Sequence, residues 1–263
     1  MILALSLIFL ALGLIIGSFL NVVIFRFNTG RSFGGRSGCM TCEKKLSWHE
    51  LIPLFSYIGL RGRCSKCKSK ISAQYPIVEA LTGIIFAGIF LKFQDLFFLD
   101  TFAFSISYAF YATMFSVLLV VAVYDFKHKI IPDAFSLAFG IITFIGLFFF
   151  KDFIFYPHIP PVSEFLAGVL LAIPFFLLWL VSKGKWMGLG DGKLALGLGW
   201  LLGFSRLLSG VVLAFWSGAI IGVLLMIFSK KHHMKSEIPF APFLVLGVLL
   251  SFFLQLEFFG TGF

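Results

Sequence analysis

Long apolar runs alternate along the chain with short polar segments, and the runs have the length a helix needs to cross a bilayer. A hydrocarbon core about 30 Å thick takes about 20 helical residues to span. Runs of that order fall near 2 to 25, 75 to 92, 101 to 124, 131 to 150, 163 to 182, 190 to 204, 208 to 228 and 239 to 258. The pattern predicts an all-α integral membrane protein of about eight transmembrane helices. The sixth run is short and contains Gly190, Gly192, Gly197, Gly199 and Gly203, which marks it as a broken or thin helix rather than a full crossing. One long polar stretch interrupts the series. It divides the chain into a first span (1 to 25), a cytoplasmic loop (26 to 74) and a membrane core (75 to 263). No internal repeat or low-complexity linker stands out. Met1 to Ile16 carry no charge and no small-residue cleavage site follows, so the first run is expected to stay as a span.

Composition agrees with the pattern. Of 263 residues, 60% are hydrophobic, 18% aromatic and only 13% charged, which suits a lipid solvent. The net charge of +9 comes from Lys and Arg gathered between apolar runs. They read as topology determinants, and a nucleic-acid surface is not expected. Segment 26 to 74 is rich in Lys and Arg, and Lys127, Lys129, Lys183, Lys185, Lys230, Lys231 and Lys235 follow the third, fifth and seventh runs. Lys92, Lys151 and Arg206 are the cations of the opposite side. Basic loops stay in the cytoplasm, so the 26 to 74 loop is expected inside and both termini outside.

All four cysteines lie in that loop, as Cys39-x-x-Cys42 and Cys64-x-x-Cys67. Each pair can chelate from one turn, and a folded-back chain brings two pairs into a tetrahedron, the arrangement zinc favours. Two disulfides or four unrelated thiols are the competing readings; a reducing cytoplasm disfavours the first and the paired spacing the second. Four thiolates leave no open coordination position, so such a metal is structural and the chemistry lies elsewhere. Trp48, Glu50, Leu51, Ile52, Pro53, Tyr57, Arg61 and Arg63 form a collar around the cysteines, either a surface that packs on the membrane or the small core of a zinc ribbon.

With only twelve acidic residues in the chain, those at span boundaries can be weighed singly. Asp125 closes the third run and Asp191 opens the sixth, both at cytoplasmic ends, where they can face each other. Two close carboxylates hold one shared proton, so one can take a proton from water while the other polarises a scissile carbonyl. Gly188, Gly190 and Gly192 flank Asp191 and would let the backbone bend and a substrate strand come close. Read alone, Gly-x-Gly-Asp is a capped helix start; a second boundary Asp gives it functional weight, because ionisable groups in a membrane are costly. Asp133, after Pro132, is the rival for the first position, with capping the simpler role. Glu79 sits about a turn inside the second run, where it either snorkels or joins a polar pocket. The five histidines are loop residues with no assigned metal or catalytic role.

These residues resemble bacterial type IV prepilin peptidases, membrane aspartyl proteases of the Gly-x-Gly-Asp kind. The resemblance rests on Gly17-Ser18-Phe19-Leu20-Asn21-Val22-Val23-Ile24, the paired cysteine knuckles, Ile71-Ser72 with Tyr75-Pro76 and Glu79, Ile131-Pro132-Asp133, and Gly188-x-Gly190-Asp191. It runs in order from residue 17 to about 244. It implies an enzyme of the bacterial inner membrane that cuts the basic leader from prepilins and type II secretion pseudopilins at the cytoplasmic face, with Asp125 and Asp191 catalytic. It also implies methylation of the exposed amino group with S-adenosylmethionine as donor, although no glycine-rich nucleotide loop is legible. Ala241 stands where the resemblance leads us to expect Gly. The rival from another class is a proton- or cation-coupled transporter with a zinc-binding regulatory loop, in which the two aspartates bind the ion; with both carboxylates at one face, no path across the membrane is marked. A presenilin-like intramembrane protease is a further rival, disfavoured by the cysteine loop.

Overall fold

The computed structural model describes residues 1–228 and 238–256. Lys230, Lys231, Lys235, His232, His233 and the end of the last expected span lie outside the described residues. The chain divides into two compact units, Met1–Leu99 with Tyr111–Ser116, and Asp100–Phe110 with the chain from Val117 onward.

In the first unit, α1 (Ile2–Arg26) packs against α3 (Gln74–Lys92). Glycines set the approach. A Cβ on Gly13 would lie 2.6 Å from the Thr82 carbonyl, and one on Gly17 would lie 2.8 Å from Glu79 Cα. Helices in lipid associate through such close backbone contact, since burial of apolar surface gains little there. Phe9 stacks on Phe90 with ring centroids 4.7 Å apart. Between these helices run a 3₁₀ turn at Trp48–Leu51 and the short helix α2 (Phe55–Gly59), and after them comes α4 (Gln94–Leu99), a helix the hydrophobic pattern does not predict.

The loop contains a repeated backbone unit. Backbone bridges join Gly38 to Lys45 and Arg63 to Lys70, and each encloses one cysteine pair. The Cys39 amide donates to the Lys44 carbonyl at 3.0 Å, and the Cys64 amide to that of Ser69 at 2.9 Å. Glu43 (φ 54°) and Lys68 (φ 59°) both take the left-handed conformation just after the second cysteine of their pair. The sequence carries its trace, for Cys39-x-x-Cys42-x-x-Lys45-Leu46-Ser47 aligns with Cys64-x-x-Cys67-x-x-Lys70-Ile71-Ser72, a short repeat that the reading of a repeat-free chain passes over.

In the second unit, Asp100 caps α5 (Thr101–His128), its Oδ1 accepting from the Phe102 and Ala103 amides at 3.0 Å each. Helix α6 (Asp133–Gly146) follows the extended Pro132 and ends four residues before the expected boundary at 150. There the chain turns into a hairpin, β1 (Phe150–Lys151) with β2 (Ile154–Phe155), where Phe150 stacks on Phe110 at 4.2 Å. Helices α7 (Val162–Ser182), α8 (Leu189–Phe228) and α9 (Ala241–Leu254) complete the unit.

Helix α8 is the expected sixth and seventh runs joined, with a break at Gly203 (φ 72°, ψ 173°). Gly197 and Gly199 serve packing instead: a Cβ on Gly197 would lie 2.6 Å from the Phe139 ring of α6, and one on Gly199 2.6 Å from the Ala167 carbonyl of α7. Among the described residues five helices, α1, α3, α5, α7 and α8, are long and apolar enough to cross a membrane, while α6 and α9 are apolar but shorter. Side chains such as Leu3, Leu7, Val169 and Leu177 project outward, a cost in water that lipid removes. The molecule is a multi-pass, essentially all-helical membrane protein.

Candidate active site and metal centre

The last turn of α5 carries Asp125, and the helix stops there because Lys129 adopts the left-handed conformation and donates its amide to the Asp125 carbonyl at 2.7 Å. The first turn of α8 carries Asp191, where the positive end of the helix dipole favours negative charge. Both residues are buried, with 5% and 8% of their surface exposed, and the charge of Asp125 acts directly on Asp191. The first amide of α9, that of Ala241, donates to Asp125 Oδ2 at 3.3 Å. One carboxylate oxygen is thus fixed by the main chain of a third helix, a partner no side-chain motif could reveal. Asp191 Oδ1 is enclosed with no hydrogen-bond partner.

The three glycines beside Asp191 differ in surroundings. A Cβ on Gly190 would lie 2.9 Å from Ile131 Cβ, so only glycine lets this turn meet the segment between α5 and α6. At Gly192 the same atom would make ordinary contact with the Phe176 ring at 3.4 Å, and at Gly188 it would meet Asp191 Oδ2 at 3.5 Å. None of the three has a positive φ, and the chain is helical from Leu189. Asp133 is placed differently from the pair: its side chain is 73% exposed and forms an ion pair with Lys193 at 2.8 Å.

In the first unit, Cys39, Cys42, Cys64 and Cys67 are free thiols whose sulfurs lie within 4.8 Å of one another. Four thiolates about 2.3 Å from a tetrahedral ion stand about 3.8 Å apart. Cys39 and Cys67 are 3.7 Å apart and Cys42 and Cys64 4.0 Å, so the set fits a tetrahedral metal. Amides of Cys42 and Thr41, with the Ser69 hydroxyl, push the Cys39 thiol down to about 5. At Cys42 the Lys44 amide favours the thiolate, yet loss of water and the other three thiols outweigh it and push the group up to about 11. A cluster so divided holds like charges poorly by itself, which a cation would relieve.

Glu50 clasps the two knuckles together. Its carboxylate accepts from Lys44 Nζ at 2.8 Å, from the Ser47 amide at 2.9 Å, and from the hydroxyls of Ser47 and Ser65. Lys44 first, then Ser65 and Ser47, hold its ionisation well below the usual carboxylate range. Of the collar residues expected from the sequence, this one belongs to the knuckle core, whereas Trp48 is exposed. Glu79 is buried and accepts the Leu54 amide at 2.9 Å, so of its two readings the pocket is the observed one.

Comparison with known proteins divides along similar lines. Residues 11–93 match the profile of the bacterial peptidase A24 N-terminal domain, and residues 112–223, which include both aspartates, match that of the type IV leader peptidase family. A prepilin leader peptidase/N-methyltransferase of Myxococcus xanthus is 32% identical over 86% of this chain and 64% of its own length. This chain therefore spans just under two thirds of that relative. Proteins of the same name from Pectobacterium carotovorum and Aeromonas salmonicida are 30% and 31% identical, covering 90% and 92% of this chain and 88% of each relative. No solved structure matches the chain.

Proposed function

Because the chain belongs to the type IV leader peptidase family, we propose that it removes the leader from prepilins or pseudopilins and then methylates the new amino terminus. The observation that carries the peptidase reading is the pair Asp125 and Asp191, two buried carboxylates at the ends of different helices within the matched region, near enough for the charge of one to act on the other. The transporter reading has no support from the family match.

In this reading the carboxylates hold a water between them. One, ionised, takes a proton as the water attacks the scissile carbonyl; the other, protonated, donates to the carbonyl oxygen. When the tetrahedral species collapses, the leaving nitrogen receives the proton and a free α-amino group results. The Ala241 amide orients Asp125, and the enclosed, partnerless Oδ1 of Asp191 keeps an unused acceptor position for the water or the substrate. Gly188, Gly190 and Gly192 support the turn against which the substrate backbone is laid. The reaction belongs at the cytoplasmic face of the bacterial inner membrane, the side to which the basic loops assign both α5 and α8 ends.

Cys39, Cys42, Cys64 and Cys67 would hold one zinc ion, which supplies a crosslink between the two knuckles and no open coordination position. S-adenosylmethionine enters as the second substrate, the methyl donor. The test is to incubate purified protein with a prepilin and S-adenosylmethionine and weigh the product. Loss of the leader and gain of a methyl group should appear as separate mass changes; an uncut prepilin would remove the reading.

A further inference from the structure

N-methylation needs a place where an ammonium group is stripped of water and gives up a proton, because only the neutral amine has a lone pair to offer a sulfonium methyl group. An α-amino group loses its proton near pH 8 in water, so a neighbouring carboxylate that binds the ammonium and then accepts the proton serves both needs. The acidic pair is committed to cleavage, the thiolates to a closed metal set, and Glu50 is fully engaged by Lys44, Ser47 and Ser65. Among the described residues one buried carboxylate remains with capacity to spare.

That carboxylate is Glu79, in the second turn of α3 and 7% exposed. Its Oε2 accepts the Leu54 amide at 2.9 Å, and Ser18 lies near it. No Lys or Arg pairs with it among the described residues. A carboxylate has about four acceptor positions, and a buried one without a cation is costly unless a ligand supplies the charge.

A second buried acceptor lies beside it. Asn21 is 0% exposed, and its Nδ2 donates to the carbonyls of Gly17 at 3.3 Å and Tyr75 at 3.1 Å. Two carbonyl partners fix the orientation of the amide, so Oδ1 is the atom left enclosed and without a partner. Gly17 lies against Glu79 Cα, Asn21 is one turn further along α1, and Tyr75 one turn back along α3. The two acceptors thus occupy adjoining rungs of one helix contact. The segment that reaches Glu79 is strained: Leu54 has φ 61° and ψ -51°, a conformation costly for a side-chain-bearing residue.

We propose that Glu79 and Asn21 form the site that binds and deprotonates the new α-amino group for methylation, which deepens the proposed function and rests on it. The ammonium donates to the Glu79 carboxylate and to Asn21 Oδ1. One proton passes to Glu79, and the freed nitrogen lone pair attacks the sulfonium methyl. The N–C bond forms as the C–S bond breaks, its electron pair staying on sulfur to give a neutral thioether. Glu79 then returns its proton to water.

The test uses the full-length protein in detergent with S-adenosylmethionine and a synthetic peptide of the mature pilin amino terminus, so that methylation is read without cleavage. Glu79→Gln keeps the shape and an acceptor for the Leu54 amide. It should lower methylation about a hundredfold, the scale of a lost general base, while prepilin cleavage falls far less. Binding supplies the second readout: wild type should prefer the free-amine peptide over its N-acetylated form, and Glu79→Gln should lose that preference. Should Glu79→Gln fail to fold, Glu79→Asp, which keeps the charge but shortens its reach, should still bind the amine and methylate slowly. Methylation by Glu79→Gln near the wild-type rate, equal loss of both activities, or an unchanged amine preference would overturn the assignment. A wild-type protein that cuts but methylates nothing would instead remove the methyltransferase reading beneath it.

Discussion

The acidic pair of the second unit and the cysteine knuckles of the first hold their charged groups in opposite ways. In the pair, Asp125 and Asp191 stand at helix ends, with main-chain amides and the helix dipole as support and one carboxylate oxygen left without a partner. In the knuckles, four sulfurs lie within 4.8 Å of one another, a set that fits a closed tetrahedral metal, and the Glu50 carboxylate accepts from Lys44, Ser47 and Ser65. Unsatisfied valence marks where chemistry can happen, and complete satisfaction marks a support. A substitution should therefore cost activity in the open set and structure in the closed one.

The largest effect is expected at the open pair. Asp125→Asn and Asp191→Asn each remove half of a shared-proton device while keeping shape, so leader removal should fall by about a thousandfold or more. Both variants should still methylate a peptide supplied already cleaved, a result that mass spectrometry of the product can read directly. Substantial cleavage by either variant would break the contrast between the two sets.

Next come the thiolates. Cys39→Ser or Cys64→Ser should lose the metal, measured by elemental analysis of protein purified without chelator, and the loop should become sensitive to protease. The loop reaches Glu79 through the Leu54 amide, whereas Asp125 and Asp191 are held by α5, α8 and α9. Methylation should accordingly fall more than cleavage when both are normalised to folded protein. Equal losses would mean that the loop supports the whole fold alike.

Much of this was legible in the sequence, for definable reasons. Apolar run length located α1, α3, α5 and α7 closely, because lipid imposes that length on a helix. The cysteine spacing pointed to one cluster, since each pair is local and only their meeting is tertiary. Other features were beyond reach. The Ala241 amide on Asp125 is a main-chain donor from a distant helix, and α6 yields to a hairpin in which Phe150 stacks on Phe110. Glycine was ambiguous for the same reason: Gly203 breaks α8 while Gly197 and Gly199 let it pack, and only the neighbours distinguish these uses.

That distinction gives a third, smaller prediction. A side chain at Gly199 would strike the Ala167 carbonyl and Gly168 Cα, each 2.6 Å from the new Cβ, so α7 and α8 must separate to admit it. Gly199→Leu should lower stability by about 3 kcal/mol or somewhat more, the upper range for overpacking, seen as a reduced unfolding midpoint in detergent. The knuckles belong to the other unit, and their metal content should not change.

The smallest effect is expected at Asp133, although its place after Ile131-Pro132 makes it a rival to Asp125 in the sequence. Its side chain is 73% exposed and pairs with Lys193 at 2.8 Å. It also heads α6, where a carboxylate suits the helix dipole. An ion pair so exposed contributes less than about 1 kcal/mol, because water screens both charges. Asp133→Asn keeps the shape and an oxygen that can still accept from Lys193, so cleavage should stay within about threefold of wild type, the change that a loss of about 0.6 kcal/mol would produce. High salt should mimic the substitution in wild type and have little further effect on the variant. A loss at Asp133 as deep as that at Asp125 would show that exposure and pairing fail to separate reactive from supporting carboxylates, and would move the first catalytic position to the head of α6.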